Sequence, residues 1–311
     1  DVQASLSLAQ QAVNITPPQN LFMLSIAYTS LGNALRESGD YHAALPVYEK
    51  SIEMLLKVRN MLALGSMTLY YQRMLAAMGN LRPALEAGKT ILARVEAAGL
   101  QQSPGLTYVM AGIGDLLYEL NELDEAENFA NDGVKLARRG GILDGIKQNS
   151  IVLARIFTAR NENERALELL YSVEQEILIS GGTLSRVDLK AWQARINLSL
   201  GRLTPVSDWS SAAALWKNVP AGKDAFSQLE LALEARRLLS AGKKEAVLRL
   251  LGPLPALYAE MGCRTWLAEV LLLRVLAASS VAAARTDLQQ ALHLAAEVGL
   301  RRLLLDEGRP L

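Results

Sequence analysis

The sequence repeats one short pattern about every 40 residues, a period typical of stacked helical hairpins. A turn residue is followed four or five positions later by a small residue. Each repeat of such a chain packs only on its neighbours, so 311 residues need not divide into separate globular cores. The turn residues are Gly39, Gly79, Asn121, Asn161, Gly201, Gly242 and Ser280, and the small residues are Ala44, Ala84, Ala126, Ala166, Val206, Ala246 and Ala284.

The composition supports a helical protein and argues against several function classes. Half of the residues are hydrophobic and the formal net charge is zero, so no basic footprint indicates nucleic-acid binding. No apolar run has the roughly 18 residues that a membrane-spanning helix needs. A single cysteine, Cys263, excludes an intramolecular disulfide, and we expect a cytoplasmic protein. The sequence begins with Asp1 rather than Met, and we expect a fragment of a longer protein.

Residues 25–58 illustrate one unit. We expect a first helix over 25–37, a turn at 38–40 and a second helix from Tyr41. Apolar residues three and four positions apart mark the buried face of each helix. Gly32 and Ala44 are small where the two helices cross, and Gly39 permits the backbone conformation that ends the first helix.

The other units vary this pattern. Gln72 stands where the first helix elsewhere has a small residue, as at Gly114 and Ala154. The unit around Val206 is degenerate and contains Trp209 and Trp216 before Pro220-Ala221-Gly222 interrupts the pattern, and the units around Ala246 and Ala284 lack one turn residue. We interpret Leu6, Leu8, Ala9, Ala12 and Val13 as the second helix of an earlier unit.

The unit resembles the tetratricopeptide repeat (TPR), with Leu31-Gly32, Gly39, Tyr41, Ala44 and Tyr48 at the positions of that motif. The resemblance implies an all-α fold, a right-handed superhelix of helical hairpins (α-solenoid), with about seven repeats in a single domain over 1–311.

Some segments resemble one family more closely. GLTYVMAGIGDLLYELNELDEA at 105–126, the stretches 191–216 and 229–251, and HLAAEVGLRRLLLDEGRPL at 293–311 are similar to the maltose-activator (MalT) family of large ATP-dependent LuxR-type bacterial transcription regulators. The end Leu305-Asp306-Glu307-Gly308 is the most diagnostic part.

The resemblance implies a superhelical sensor domain that binds a small-molecule inducer and self-associates. In full-length members it lies between an ATPase and a DNA-binding domain. This sequence carries no GxxxxGK[ST] motif and no evident DNA-reading helix. ATP is therefore expected on the absent ATPase domain, with no cofactor, direct nucleic-acid or membrane contact here.

No group of residues predicts catalysis or metal binding. His42 and His293 each lack a catalytic partner in the sequence, and Cys263 lacks a neighbouring base. No Cys/His spacing fits a metal site. Gly140-Gly141 and Gly181-Gly182 are interpreted as loop glycines, and Asp124-Glu125 as a helix start. The chain is therefore not expected to be an enzyme.

The position six residues before each turn residue is always polar. We call this set the arginine ladder, and its members are Asn33, Arg73, Asp115, Arg155, Arg195, Arg236 and Arg274. In TPR proteins this part of the first helix faces the concave groove. No ladder arginine has an acidic residue three or four positions away, so partners must come from another helix, water or a ligand. Arg237, by contrast, has Glu234 three positions before it.

Two interpretations of the ladder remain open. In one, the groove binds an anionic or hydroxyl-rich effector, because guanidinium groups suit carboxylates, phosphates and sugars. The predicted ligand-binding residues are Arg73, Asp115, Tyr118, Arg155, Arg195 and Arg236. In the other, the ladder is a solvated wall in which Asp115 bridges Arg73 and Arg155. Trp192, Trp209, Trp216 and Trp266 are interpreted as packing residues rather than a sugar platform.

Two functions follow from these patterns. The first is effector sensing and self-association in a bacterial transcriptional activator. The alternative is a scaffold whose groove holds a peptide or partner protein. A peptide groove favours asparagine side chains that clamp a ligand backbone, and the ladder has only Asn33, which favours a small ligand.

Overall fold

The computed structural model describes residues 2–181, 184–202 and 225–307, with side chains from residue 228 onward in the last range. Every regular element in these ranges is a helix. The expected all-α fold of successive hairpins is therefore confirmed there. The helices are α1 (Val2–Ile15), α2 (Leu21–Ser38), α3 (Tyr41–Lys57), α4 (Met61–Ala77), α5 (Leu81–Ala97), α6 (Thr107–Glu119), α7 (Leu123–Gly140), α8 (Leu143–Ala159), α9 (Asn163–Ile179), α10 (Val187–Ser199), α11 (Ala225–Ser240), α12 (Lys244–Leu251), α13 (Leu254–Glu260), α14 (Arg264–Ala277), α15 (Val281–Val298) and α16 (Arg301–Glu307).

The hairpin of α2 and α3 has the expected local chemistry. Helix α2 ends at Gly39, whose φ of 84° is the left-handed conformation that glycine adopts most easily. Asp40 then caps α3 by accepting a hydrogen bond from the Ala43 N–H. Gly32 lies against the Tyr48 ring, and a Cβ added there would be 3.2 Å from that ring. The glycine is thus small because Tyr48 packs on it.

The predicted turn residues share one backbone conformation in six of the seven turns, with φ between 63° and 88°. The exception is Ser280, which is extended with φ −152° and caps α15 by accepting from the Ala283 N–H. The seventh turn is therefore built by an N-cap serine instead of a left-handed residue. The six are Gly39, Gly79, Asn121, Asn161, Gly201 and Gly242.

The predicted small positions are fully buried in the first four units. Ala44, Ala84, Ala126 and Ala166 are each 0% exposed. Ala246 and Ala284, the small residues of the last two units, are only half-buried. Val206, with Trp209, Trp216 and Pro220-Ala221-Gly222, lies outside the described residues.

Gln72 departs from the repeat pattern without disturbing the packing. Its side chain is 1% exposed and donates to the Ala84 carbonyl over 3.3 Å. Two glycines make room for it, since a Cβ at Gly88 or Gly112 would lie 2.2 or 2.1 Å from its amide. The larger residue in one helix is compensated by glycine in the helices on either side.

Two local features differ from a regular array. In the sixth hairpin the second helix is broken between α12 and α13 at Pro253, which lacks the N–H that helix continuation needs. In α1, Leu6, Ala9 and Val13 pack against α2 as expected. Leu8 lies in the same helix, as predicted, and is 65% exposed.

The described residues form two compact units. Unit 1 comprises residues 1–76, 80–116 and 128–149, and unit 2 comprises 77–79, 117–127 and 150–311. In unit 1, Tyr48 and Leu64 are fully buried. In unit 2, Ala191 and Ala194 of α10 pack on Leu233 of α11. None of the described helices is long and apolar enough to cross a membrane.

Candidate functional site

Four of the six predicted ligand-binding residues lie in unit 2. Tyr118 is in the last turn of α6, Arg155 in α8, Arg195 in α10 and Arg236 in α11. Arg155, Arg195 and Arg236 occupy the equivalent ladder position of their repeats, whereas Tyr118 lies three residues after the ladder residue Asp115. Arg73 and Asp115 belong to unit 1, where Arg73 donates to the Gln148 amide oxygen over 2.7 Å.

Arginines and aromatic rings alternate in unit 2. The Arg155 guanidinium carbon lies 4.0 Å from the Tyr118 ring centroid and 4.8 Å from that of Trp192. Arg195 lies 5.0 Å from the same Trp192 ring, and Arg302 lies 5.4 Å from the Tyr118 ring. All four distances permit cation–π attraction. We call Arg302, Tyr118, Arg155, Trp192 and Arg195 the cation–aromatic column.

Three ladder arginines pair with acids from other helices, which agrees with the prediction that their partners are not on their own helices. Arg155 of α8 donates to Glu119 of α6, and Arg236 of α11 donates to Glu269 of α14 over 2.9 Å. Arg274 of α14 donates to Asp287 of α15 over 2.8 Å. These pairs join successive first helices or the two helices of a hairpin.

Arg237 confirms the contrast drawn from the sequence. It pairs with Glu234 three positions earlier on its own helix, at 2.7 and 2.6 Å. The two side chains are 31% and 30% exposed. Arg236, its neighbour in the sequence, is only 11% exposed. Adjacent arginines therefore occupy different environments, one on the surface and one inside the network.

The electrostatics around Arg236 show which charge form the network favours. Burial alone would lower the pKa of Arg236, but the charges of Glu307 and Glu269 and their hydrogen bonds outweigh it and raise that pKa. Burial would raise the pKa of Glu269, but the charges of Arg236 and Arg195 lower it below its ordinary value. Both groups are thus charged at neutral pH. Among the described residues, Arg236 Nη1 is buried without a hydrogen-bond partner.

Tyr118 contributes a neutral hydroxyl donor. Its side chain is 2% exposed, and burial is the main reason that its pKa is raised, with the Asp306 charge acting in the same direction and Arg155 opposing it. The phenol therefore keeps its proton and donates to Asp306 Oδ2 over 2.8 Å.

Cys263 and Trp266 are buried, whereas the two histidines lie on the surface. Cys263 is fully buried, and burial raises the pKa of its thiol to about 12, so it is a poor nucleophile at neutral pH. Trp266 is 7% exposed and meets Tyr258 edge to face at 5.5 Å, which is a packing role. His42 and His293 are exposed. In the described ranges no group of three or more His, Cys, Asp or Glu residues is arranged to hold a metal ion.

Sequence reasoning missed the acids that complete the site. Glu119, Glu269 and Glu307 contact ladder arginines, and Arg302 extends the column. Trp192 was interpreted as packing, yet two arginines lie over its half-buried ring. A signal was present, because Trp192 and Tyr118 are each three residues from a ladder position and hence on the same helix face.

This arrangement suits recognition. Guanidinium groups offer forked donors to carboxylate, phosphate or hydroxyl groups, and the rings offer faces against which a ligand packs. The column itself contains no nucleophile paired with a base.

The chain is similar to one described family and to curated proteins. A family model described as the MalT-like TPR region matches residues 1–311, the whole chain. Among curated proteins, the serine/threonine-protein kinase PknK of Mycobacterium tuberculosis is 31% identical over 245 residues, which are 75% of this chain and 20% of that protein. PknK of Mycobacterium bovis matches with the same values. The chain therefore spans about a fifth of the length of these relatives.

Among solved structures, the chain is similar to BtubC (BKLC) from P. vanneervenii. The TM-score is 0.51 at 14% sequence identity, over 70% of this chain and 91% of that one. At this identity the likeness shows the fold alone, and it agrees with the helical hairpins described above.

Proposed function

Because this chain belongs to the family of MalT-like TPR regions, we propose that it is the effector-sensing domain of a larger bacterial transcription activator. The match to a TPR region supports a role in sensing or as a scaffold, and we infer that this domain does not itself carry out catalysis. The ATPase and DNA-binding parts of such an activator are partners of this domain within the parent protein, and self-association belongs to the same proposal. The effector is a small anionic or hydroxyl-rich molecule.

The observation that carries this proposal is the cation–aromatic column. Arg155 and Arg195 come from different repeats, yet both lie on the ring of Trp192 at 4.8 and 5.0 Å. A solvated wall needs no such ring, because water satisfies exposed guanidinium groups. Ligand pockets commonly combine aromatic side chains with a few polar or charged groups that orient the ligand.

The site extends beyond the column to Arg236. The buried Nη1 of Arg236 offers a donor without a partner among the described residues, and such donors are costly to bury unless something accepts from them. Within the column, Tyr118 supplies a hydroxyl donor. The proposed contacts in unit 2 are therefore Tyr118, Arg155, Arg195 and Arg236, and Arg73 and Asp115 remain predicted contacts on unit 1.

A thermal-shift screen of the purified chain tests the proposal. Sugars, organic acids and sugar phosphates are compared at matched ionic strength. A true effector stabilises the fold by mass action, by about 2.7 kcal/mol at a hundredfold excess over its Kd. A concentration-dependent rise in Tm for members of one class supports the proposal. A complete absence of stabilisation by all three classes contradicts it.

A second function, a scaffold for a peptide, is favoured by one observation. Helix α16 of this chain already contacts Tyr118 through Asp306 and Arg302, so the surface accepts a helical segment with acidic side chains. Binding of an acidic helical peptide, with no response to any small molecule, is the result that selects this function.

A further inference from the structure

The last described helix, α16, places two carboxylates on the proposed effector site. Asp306 Oδ2 accepts the hydrogen bond of Tyr118 at 2.8 Å. Glu307 accepts from Arg236 Nε over 3.1 Å and lies 3.9 Å from Arg195 Nη2. Three of the predicted ligand-binding residues thus contact acids of their own chain.

These contacts are well removed from water. The exposed fractions of the side chains are 9% for Glu307, 11% for Arg236 and 16% for Asp306. Attraction between opposite charges is stronger and less screened by salt in such surroundings than on an open surface.

Helix α16 is attached through several polar contacts. The helix has seven residues, of which Arg302 is buried, while Leu303 and Leu304 are half-buried. Arg302 pairs with Asp306 and donates to the Asn121 side chain over 3.2 Å. Leu305 is 55% exposed. Since so short a helix is not stable by itself, its order depends on its contacts with the rest of unit 2, and these ion pairs and hydrogen bonds are among them.

The site retains a second partner for each group when α16 leaves. Arg236 keeps Glu269, Arg195 keeps the Trp192 ring, and Tyr118 keeps the Arg155 guanidinium. Departure of α16 therefore does not leave an isolated buried charge, which is the costly outcome when an ion pair is broken. Glu269 belongs to α14 and stays in the site, whereas Asp306 and Glu307 belong to α16 and leave with it.

We propose that α16 is an internal ligand of the effector site, and that a small carboxylate-bearing effector competes with Asp306 and Glu307 for the same arginines. The proposal rests on the effector-sensing function and narrows it to carboxylate ligands. Guanidinium forks bind a carboxylate of an effector and one of the chain in the same way, so both cannot occupy the site together. Effector binding then releases α16 and changes the C-terminal end of unit 2.

The first part of the test measures attachment. Hydrogen–deuterium exchange is followed in the full chain, in the Asp306→Asn/Glu307→Gln variant and in a control, Glu260→Gln/Glu297→Gln. The control removes the same charge from residues that are exposed in unit 2. We expect amides of 301–307 to exchange about tenfold faster in the first variant, because local opening sets their exchange, and at the parent rate in the control. Unchanged protection of 301–307 in the first variant overturns the proposal.

The second part measures competition, with citrate as the carboxylate probe at constant ionic strength. We expect citrate to bind Asp306→Asn/Glu307→Gln about tenfold more tightly than the parent chain, because the parent site is mostly occupied by α16. We also expect citrate to accelerate exchange at 301–307 in the parent. The control double variant binds citrate like the parent. Equal citrate affinity in the parent and the first variant, or no citrate binding by the first variant, overturns the proposal.

Two results distinguish competition by α16 from effector binding by the chain. A neutral sugar that binds at the column without altering exchange at 301–307 supports effector sensing and overturns competition by α16. Absence of any ligand from all screened classes contradicts effector sensing itself.

Discussion

Arg236 and Glu307 form an ion pair between two helices that are 71 residues apart in the sequence. Arg236 also binds Glu269, so one guanidinium joins α11, α14 and α16 within unit 2. All three side chains are at most 15% exposed. This pairing makes the ladder position of the sixth repeat part of the packing as well as part of the proposed site.

Arg236→Ala is expected to lower the free energy of unfolding by about 3–5 kcal/mol, because two buried carboxylates lose their cation. Urea denaturation measures the loss. Arg237→Ala is the matched control on the same helix, and loss of its exposed pair with Glu234 should cost about 0.5 kcal/mol. Equal losses in the two variants would contradict a special role for the Arg236 network.

Tyr118→Phe separates the hydroxyl from the ring. The variant should lose about 1.5–3 kcal/mol, the scale of a hydrogen bond to a charged group, because Asp306 loses a donor. Tyr118→Leu should cost about 0.5–1 kcal/mol more, since Arg155 then loses its aromatic face as well. Thermal or urea unfolding of the three proteins gives both values. A phenylalanine variant as stable as the parent would show that the contact with α16 contributes nothing.

Much of the fold was predictable because the hairpin depends on local chemistry. A left-handed residue ends the first helix, and a small residue follows where two helices meet, as at Gly39 and Ala44. Ser280 and Gln72 show the limit of this rule. Another cap makes the turn at Ser280, and glycines in neighbouring helices accommodate Gln72. The residue at one position thus depends on residues in neighbouring helices, and a repeat pattern read position by position does not reveal this.

The sequence predicted the arginines of the site but not their acidic partners. The ladder arginines follow from the period, and the lack of acids on their own helices correctly indicated partners elsewhere. The acids that pair with these arginines could not be identified from the sequence, since Glu119 and Glu307 lie 36 and 71 residues from Arg155 and Arg236. Only the tertiary fold brings those residues together.

The ion pair between Arg236 and Glu269 should make the free energy of unfolding depend on pH in the acidic range. Burial alone would raise the pKa of Glu269, but Arg236 and Arg195 lower it below the ordinary value of 4.5. Its stabilising contribution is therefore complete above pH 4.5 and is lost as the pH falls through the lower pKa of the folded state. The difference in unfolding free energy between the parent and Glu269→Gln should shrink as the pH falls below that value. A difference that stays constant between neutral pH and about pH 3 would contradict this assignment.

A larger side chain at a close helix–helix contact should lower the stability of the chain. Ala84→Leu should destabilise the chain by about 1–3 kcal/mol through overpacking, since Ala84 is 0% exposed. Ala93→Leu is the matched control, because Ala93 is exposed on the same helix and its substitution should change stability by less than about 0.5 kcal/mol. Urea denaturation compares the two variants. Equal effects would show that Ala84 is not at a close contact.

The affinity of an effector for the arginine variants tests the central claim most directly. With a compound identified by its stabilisation of the chain, calorimetric titration compares the parent, Arg195→Ala and Arg237→Ala. Loss of a hydrogen bond to a charged group should raise the Kd for Arg195→Ala about 10- to 100-fold, while Arg237→Ala binds like the parent. Equal affinity in all three proteins would contradict effector recognition at the cation–aromatic column.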